Sequence, residues 1–368
     1  MTRGAYELPT VAMPLASIDA ASALSRLDEF STVIDARSES EFAEDHLPSA
    51  VNWPSLTDVE RAEVGTLHKQ MSAFDARKRG AGLVAANIAR HLEREMADKS
   101  KDWAPLVYCW RGGKRSGSLA LVLDQIGFRT RVLAGGYREY RRAVVAALET
   151  LPAAFAFRVV CGPTGSGKSR LLQAIAAEGA QVLDLEALAN HRGSVLGLVP
   201  GSSQPSQKAF DTAVWNVLRR LDVTRPVFVE SESKKIGDLR VPEALIARMR
   251  TSPCIWLELA LDRRVQLLLT EYEHFVTDIE AFCGRLDALR ELRGREVVGG
   301  WQAAARRGEV ASVVRDLLVT HYDPIYRQSL RRNFPQVEAP SAAALDWDGS
   351  VPALVATARR AIADPIEA

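Results

Sequence analysis

Two short stretches carry the residue types that do chemistry. The first is Leu106–Ser116. An apolar run ends in Cys109, and a loop follows with Gly112, Gly113 and the cations Arg111, Lys114 and Arg115. Glycines let backbone N–H groups turn inward, and such a loop at a helix N-terminus attracts anions. The same field favours thiolate over thiol, which makes Cys109 a candidate nucleophile. A cysteine buried only for packing does not need three cations beside it. The second stretch is Gly162–Ser169, which reads G-x-x-x-x-G-K-S between an apolar run, Ala156–Cys161, and a helical one, Leu171–Ala177. This is a P-loop in the strand–loop–helix context that it requires. Backbone N–H groups from Gly162 through Thr164, Gly165, Ser166 and Gly167 would wrap a phosphate chain. Lys168 would reach the terminal phosphates, and Ser169 is a candidate Mg²⁺ ligand. The motif specifies a diphosphate or polyphosphate, not a nucleotide.

Cys109 and Arg115 also stand at Cys-x5-Arg spacing, the signature of cysteine-dependent phosphatases, in which the arginine grips phosphate through two hydrogen bonds. No general-acid aspartate can be placed near the loop. Sulfur transfer and phosphatase chemistry therefore both remain open on this loop alone.

The elements that must hold these loops follow from the pattern around them. Thr32–Asp35 reads as a short buried strand ending in an acid, and Ser38 and Glu41 stand at capping-box spacing for the helix after it. His46–Pro54 reads as a turn and a short strand, and Arg131–Leu133 as another strand before Ala134–Tyr137. Strands alternating with helices imply a parallel α/β sheet. Between Thr57 and Asp102 the chain looks helical and charged. Its basic run, Arg77–Lys78–Arg79, is expected in a loop ahead of a helix over Leu83–Leu92, where it could touch RNA phosphates.

Downstream, Gln181–Leu185, Pro226–Glu230 and Cys254–Leu259 read as further strands, with helices over Lys208–Leu221 and Pro242–Arg250, giving a doubly wound P-loop fold. Glu230 stands where such a fold places its acidic residue after the third strand, and Glu232 follows. Leu185–Ser194, with Glu186, His191 and Arg192, is dense in polar groups, as is Ser203–Gln207. From about 262 to 332 the periodicity is helical and charged, which suggests a helical addition for a large partner. Ala344–Trp347 and Val351–Ile362 read as one more strand and helix. The domains expected are 1–145 and 146–368.

The 368 residues suit two or three domains, and 47% hydrophobic with 25% charged content is ordinary for a globular protein. A formal net charge of +1 means that a polyanionic partner must be held by local basic patches. The four cysteines, Cys109, Cys161, Cys254 and Cys283, lack metal-ligand spacing and are too sparse for a disulfide framework, which fits a reducing cytoplasmic compartment. Cys161 reads as a core residue. No apolar run approaches the roughly 18 residues of a membrane span, and Met1–Leu8 lacks a signal-peptide pattern. Neither a membrane nor a tightly bound cofactor is expected.

Val33–Phe42, His46–Asn52, the cysteine loop and Val132–Tyr137, in this order, resemble a rhodanese domain, whose cysteine carries sulfur or selenium as a persulfide. By that resemblance Asp35, Arg37, Glu41 and His46 support the loop. The rhodanese stretch, the P-loop, Leu185–Ser194 and Glu230–Gly237 together resemble the tRNA 2-selenouridine synthase family over nearly the whole length. Ser231 departs from the acidic residue more usual there. The resemblance implies a transferase with tRNA as partner. It would alkylate wobble 2-thiouridine with geranyl diphosphate, then exchange the S-geranyl group for selenium from selenophosphate. A selenophosphate-producing enzyme is a candidate partner. Cys109, Arg111, Lys114 and Arg115 would serve the second step, with the cations gripping selenophosphate and Trp110 a wall against base or geranyl chain. Lys168 would stabilise the diphosphate leaving group. Arg138, Arg141, Arg142, Lys234 and Lys235 are candidates for tRNA contact. The geranyl chain needs an apolar slot that no stretch identifies. The other classes considered are a P-loop ATPase or kinase coupled to a sulfur-carrier domain, the phosphatase, and a sulfur-binding module without turnover.

Overall fold

Short apolar runs bounded by turn residues become parallel strands in both halves of the chain. The computed structural model describes residues 15–192, 203–273, 277–338 and 343–364. Met1–Leu8, Gly193 and Ser194 lie outside these. The chain divides into two units at Ala146–Ala147.

The first unit runs β1 (Ser17–Ile18), α1 (Ala20–Ser25), β2 (Thr32–Asp35), α2 (Glu39–Glu44), β3 (Ala50–Asn52), α3 (Asp58–Gln70), α4 (Ala73–Glu95), β4 (Pro105–Tyr108), α5 (Lys114–Ile126), β5 (Arg131–Leu133) and α6 (Gly136–Thr150). Its sheet is parallel, in the order β1-β5-β4-β2-β3. β4 is buried at every residue, as a strand covered on both faces must be. Ile34, Val107, Leu119, Leu123 and Phe128 meet in its core. Asp35 lies opposite Tyr108, so Asp35 and Cys109 leave adjacent strands at the same C-terminal edge, where open α/β sheets carry their sites. The Ser38–Glu41 capping box is formed, a cap worth about 1 kcal/mol to α2.

α3 and α4 pack as a helical hairpin. The basic run lies inside α4, not in a loop before it. Arg79 donates to Glu63 at 2.7 Å and Lys78 pairs with Asp75 at 3.2 Å, so much of this charge is matched within the hairpin. The apolar periodicity that marked Leu83–Leu92 simply extends further back than the basic residues suggested.

The second unit contains β6 (Phe157–Cys161), α7 (Lys168–Ala177), β7 (Gln181–Leu183), α8 (Leu185–Leu188), α9 (Gln207–Leu218), β8 (Val227–Glu230), the antiparallel pair β9 (Lys235–Ile236) and β10 (Leu239–Arg240), α10 (Glu243–Arg250), β11 (Cys254–Glu258), α11 (Leu261–Glu271) and β12 (Ala343–Asp346). The main sheet is parallel, in the order β12-β11-β6-β8-β7. β6 is central, and its register sets Val160 opposite Glu230. The loop after β6 therefore faces the acid at the end of β8.

Between α11 and β12 the described chain is helical. It includes Ile279–Leu286, Arg295–Arg306, Val310–Asp316, a π-helical turn Leu317–Tyr322, and Asp323–Asn333. Phe282, Leu286, Val298, Trp301, Val313 and Leu317 give this addition its own core. The last helix, Val351–Ala363, packs against α7. No helix among the described residues is long and apolar enough to cross a membrane.

Candidate functional site

The cysteine loop is built on a buried polar scaffold. Cys109 follows the last residue of β4 and is itself buried. The Ser116 hydroxyl donates to its Sγ at 3.2 Å. Gly113, with φ 69°, caps α5 in the left-handed region that glycine adopts without a Cβ penalty. Below the loop, Arg37 is fully buried and grips Asp35 through Nε and Nη2, the latter at 2.6 Å. Its Nη2 also donates to the Asp45 carbonyl, and its guanidinium lies 3.9 Å from the Tyr137 ring centre. Tyr137 donates to Asp45 at 2.7 Å. Asn52 donates to the carbonyls of Asp35 and Arg37.

A second support comes from the start of α6. The N–H of Tyr137 donates to the Cys109 carbonyl at 2.8 Å, and that of Arg138 to the Trp110 carbonyl at 3.2 Å. Gly136 has φ 62°, and a Cβ there would run into the Cys109 carbonyl. The glycine pair before Tyr137 thus lets a backbone dock directly on the Cys109 peptide.

The three cations of the loop do not behave alike. Arg111 and Lys114 are exposed. Arg115, expected to grip an anion, donates instead to Glu41 at 3.0 Å. The pairing arises because Glu41, fixed by the capping box, sits beside the first turn of α5. Trp110 stacks on Tyr137, with ring centres 5.4 Å apart. His46 donates from Nδ1 to the Phe42 carbonyl at 2.9 Å and stacks on the Phe42 ring.

In the second unit the P-loop joins β6 to α7. Its outer side is gripped by residues far away in sequence. Arg264 donates to the Thr164 carbonyl at 2.9 Å and pairs with Asp323 through two bonds of 2.6 and 2.9 Å. Trp347 Nε1 donates to the Ser166 carbonyl at 2.9 Å. The Gly162 N–H donates to Tyr326 Oη at 2.9 Å, and the same oxygen is 2.9 Å from Ser231 Oγ. Lys168 Nζ donates to the Gly162 carbonyl at 2.8 Å and lies 5.3 Å from the Tyr326 ring centre.

Four carboxyl groups gather beside the P-loop, Asp184, Glu186, Glu230 and Glu232, and Lys168 acts on Glu186 and Glu232. Ser169 Oγ donates to Glu186 at 3.0 Å, and the Glu186 N–H donates to Glu230 at 2.8 Å. The second oxygen of Glu230 is buried with no partner among the described residues. Burial pushes Glu230 well above the usual carboxylate range, with the Asp184 charge adding to it. Burial, then the charge of Glu186, pushes Glu232 up to about 8 against the opposing pull of Lys168. Glu186 and Asp184 are also raised, chiefly by burial.

A cavity of about 700 Å³ opens over this floor. That lies within the range of small-molecule sites, roughly 300–1,000 Å³. Its polar lining includes Thr164, Lys168, Ser169, Glu186 and Glu232, with His191 and Arg192. Arg192 donates to the Glu271 carbonyl at 2.6 Å and lies over the Tyr272 ring. The same lining includes the apolar or aromatic side chains Leu268, Tyr272, Tyr322, Ile325, Leu330 and Phe334. The arrangement can receive an anionic head and an apolar tail together. Glu230 is not part of the lining, whereas Tyr326, which accepts from the Gly162 N–H, is.

Residues 155–294 match the model of the tRNA 2-selenouridine synthase AAA domain, and residues 19–143 match the rhodanese-like domain. The tRNA 2-selenouridine synthase of Cupriavidus necator is 32% identical over 352 residues, covering 86% of this chain and 93% of that protein. That of Alcanivorax borkumensis is 30% identical over 332 residues, covering 82% and 90%. The chain belongs to the tRNA 2-selenouridine synthase family. For the Nitrosomonas europaea member, 36% identical over 246 residues, the match spans 65% of this chain and 63% of that protein.

Within the family architecture, the candidates for tRNA contact are scattered. Arg138, Arg141 and Arg142 lie on α6, with Arg142 paired to Glu139 at 2.7 Å. Lys234 pairs with Glu243 at 3.3 Å, and Lys235 begins β9. Exposed pairs of this kind are worth about 0–1 kcal/mol, so a phosphate could displace either carboxylate. Sequence reasoning did not single out Arg264, Tyr326, Trp347 or the apolar wall. Each comes from a segment whose local pattern reads only as helix or strand, and the contact is made across more than 90 positions of chain.

Proposed function

We propose that this chain converts wobble 2-thiouridine in tRNA to 2-selenouridine in two steps, S-geranylation in the second unit and selenium exchange at the cysteine loop. The single observation that carries the reading is one cavity lined both by the P-loop and by a set of apolar side chains. Lys168 and Ser169 suit a diphosphate, and Leu268, Tyr322, Ile325, Leu330 and Phe334 suit a C10 hydrocarbon. Geranyl diphosphate has this pairing of charge and tail. Lys168 would leave the Gly162 carbonyl and neutralise charge developing on the leaving diphosphate. Ser169 with its bonded Glu186 would hold any Mg²⁺ that accompanies the diphosphate, supplying further charge neutralisation. In the second step the selenium of selenophosphate adds at C2, the C2–S bond breaks with loss of geranylthiol, and water cleaves the Se–P bond with release of phosphate. Exposed Arg111 and Lys114 would bind selenophosphate, with Cys109 and the Ser116 hydroxyl facing the donor.

The wobble base would be presented unstacked, as RNA bases that undergo chemistry are, with phosphate contacts fixing the anticodon loop. Phosphatase chemistry is less well supported, because the arginine at Cys-x5-Arg spacing is committed to Glu41. An ATPase or kinase does not account for the apolar wall. The test is incubation of the purified chain with 2-thiouridine tRNA and geranyl diphosphate, with and without selenophosphate, followed by mass spectrometry of the nucleosides. S-geranyl-2-thiouridine without the selenium donor and 2-selenouridine with it are expected. Unchanged nucleosides together with tRNA-independent ATP hydrolysis would favour the alternative.

A further inference from the structure

A chain with a formal net charge of +1 must hold RNA through a local set of cations. The small hairpin of β9 and β10 carries such a set. Its register places Ile236 opposite Leu239 and Lys235 opposite Arg240. Side chains directly opposite in an antiparallel pair share a face, with Cβ atoms about 4.5–5.5 Å apart. Ile236 and Leu239 are buried, so one face packs inward. Lys235 and Arg240 are exposed on the other. Neither has an acidic partner among the described residues, whereas Lys234 pairs with Glu243 at 3.3 Å. Asp238, in the turn, acts on His191. Like charges directly opposite destabilise a pair of strands. A phosphate oxygen between the two would turn that repulsion into attraction.

Two glutamines fix the hairpin in place. Gln204 Nε2 donates to the Ala189 and Ile236 carbonyls at 3.1 and 3.0 Å, and its Oε1 accepts from the Asp238 N–H at 2.8 Å. Gly237, with φ 59°, makes room for this amide, since a Cβ there would collide with it. Gln207 grips the backbone of Arg240 itself. Its Nε2 donates to the Arg240 carbonyl at 2.9 Å, and its Oε1 accepts from the Arg240 N–H at 2.7 Å. The polar stretch Ser203–Gln207 is thus a clamp on the hairpin. The hairpin also leaves the cavity directly. Ser231, Glu232 and Ser233 line the cavity, and Lys235 follows Ser233 by two residues, at most about 7 Å of chain. We propose that Lys235 and Arg240 together bind a backbone phosphate of the tRNA beside this cavity, with Gln207 as the positioning residue that holds Arg240 opposite Lys235. This rests on the reading above, in which the tRNA base enters the cavity of the second unit. The diphosphate of the small substrate is accounted for by the P-loop, which leaves the pair to the polymer.

The experiment is equilibrium binding of the full chain to 2-thiouridine tRNA over a range of salt concentrations, with binding of inorganic diphosphate measured alongside. The double variant Lys235→Ala with Arg240→Ala should flatten the plot of log affinity against log salt by about 0.7–0.9, the share of one phosphate. Its affinity at low salt should fall about tenfold or more, as loss of a charged hydrogen-bonded contact implies. Inorganic diphosphate should bind it as it binds wild type. Its melting temperature should be no lower than that of wild type, since a repulsion is removed. Gln207→Ala, with both cations intact, should raise KM for tRNA in the alkylation and leave kcat unchanged. Wild-type tRNA affinity and salt slope in the double variant overturn the inference. So does a matching loss of diphosphate binding, which would assign the pair to the small substrate, and so does a lower melting temperature, which would make it structural. A wild-type chain that binds no tRNA overturns the reading beneath, and the inference with it.

Discussion

Gly162 and Tyr326 are 164 positions apart, yet the glycine N–H donates to the tyrosine oxygen at 2.9 Å. Through this bond the helical addition holds the P-loop directly, and Arg264 of α11, paired with Asp323 of the addition, grips Thr164 as well. The same helix, Asp323–Asn333, that carries Tyr326 also carries Ile325 and Leu330 of the apolar wall. The P-loop and the apolar part of the cavity lining are thus parts of one packed unit.

Arg264 is the most informative residue for that packing. It is 5% exposed, and replacing it with Ala would leave Asp323 without its bidentate partner and release the Thr164 carbonyl. Breaking such a buried pair costs about 3–5 kcal/mol. Chemical denaturation of Arg264→Ala should show a loss of that order, with weakened diphosphate binding at temperatures where the variant is still folded. A loss below about 1 kcal/mol would contradict the clamp.

Ile325 probes the apolar wall with little risk to the fold, since it is 48% exposed. Ile325→Asn removes apolar contact from a prenyl chain, and burial of an aliphatic side chain is worth roughly 1.5–3 kcal/mol. KM for geranyl diphosphate should rise about tenfold or more. Inhibition by inorganic diphosphate, which lacks the chain, should stay unchanged. Parallel weakening of both would place the hydrocarbon elsewhere.

At Gly136, the positive φ and the adjacent Cys109 carbonyl leave no room for a side chain. Gly136→Ala should displace the cysteine loop, with strain of about 1–3 kcal/mol. Selenium incorporation should fall while S-geranylation, assigned to the other unit, continues. An unaltered rate of selenium incorporation would mean that the backbone contact does not position Cys109.

Glu232 makes stability depend on pH in a defined direction. Its folded-state value, about 8, lies above the ordinary 4.5. The folded chain therefore binds the proton more tightly than the unfolded chain. The resulting stabilisation is complete below the unfolded value and is lost as pH rises through the folded one. Melting temperature should fall between about pH 5 and pH 8 from this group, and Glu232→Gln should flatten that fall. A wild-type melting temperature that climbs through this window, with Glu232→Gln unchanged, would show that the site does not raise the acid.

Much of this was legible in the sequence where the information is local. The strand before Cys109, the capping box at Ser38, the P-loop and the acid at the end of β8 all announce themselves within about ten residues. Arg115 misled because a cation after a cysteine loop reads as an anion grip, whereas its partner Glu41 lies 74 positions earlier. The apolar slot was invisible for a related reason. Leu268 and Ile325 sit on helices and Tyr272 and Phe334 at helix ends, where periodicity explains each of them as packing, and only the tertiary fold brings them into one cavity with Lys168. The basic run at Arg77 misled in another way, since its helix was read as starting after the charge.

The division of labour between the two units is tested most directly by nucleoside mass spectrometry of tRNA from cells that carry Cys109→Ala or Lys168→Ala in place of the wild-type chain. Cys109→Ala should block selenium incorporation and let S-geranyl-2-thiouridine accumulate. Lys168→Ala should lower S-geranylation first and leave unmodified 2-thiouridine. Equal loss of both products in both variants would contradict the account.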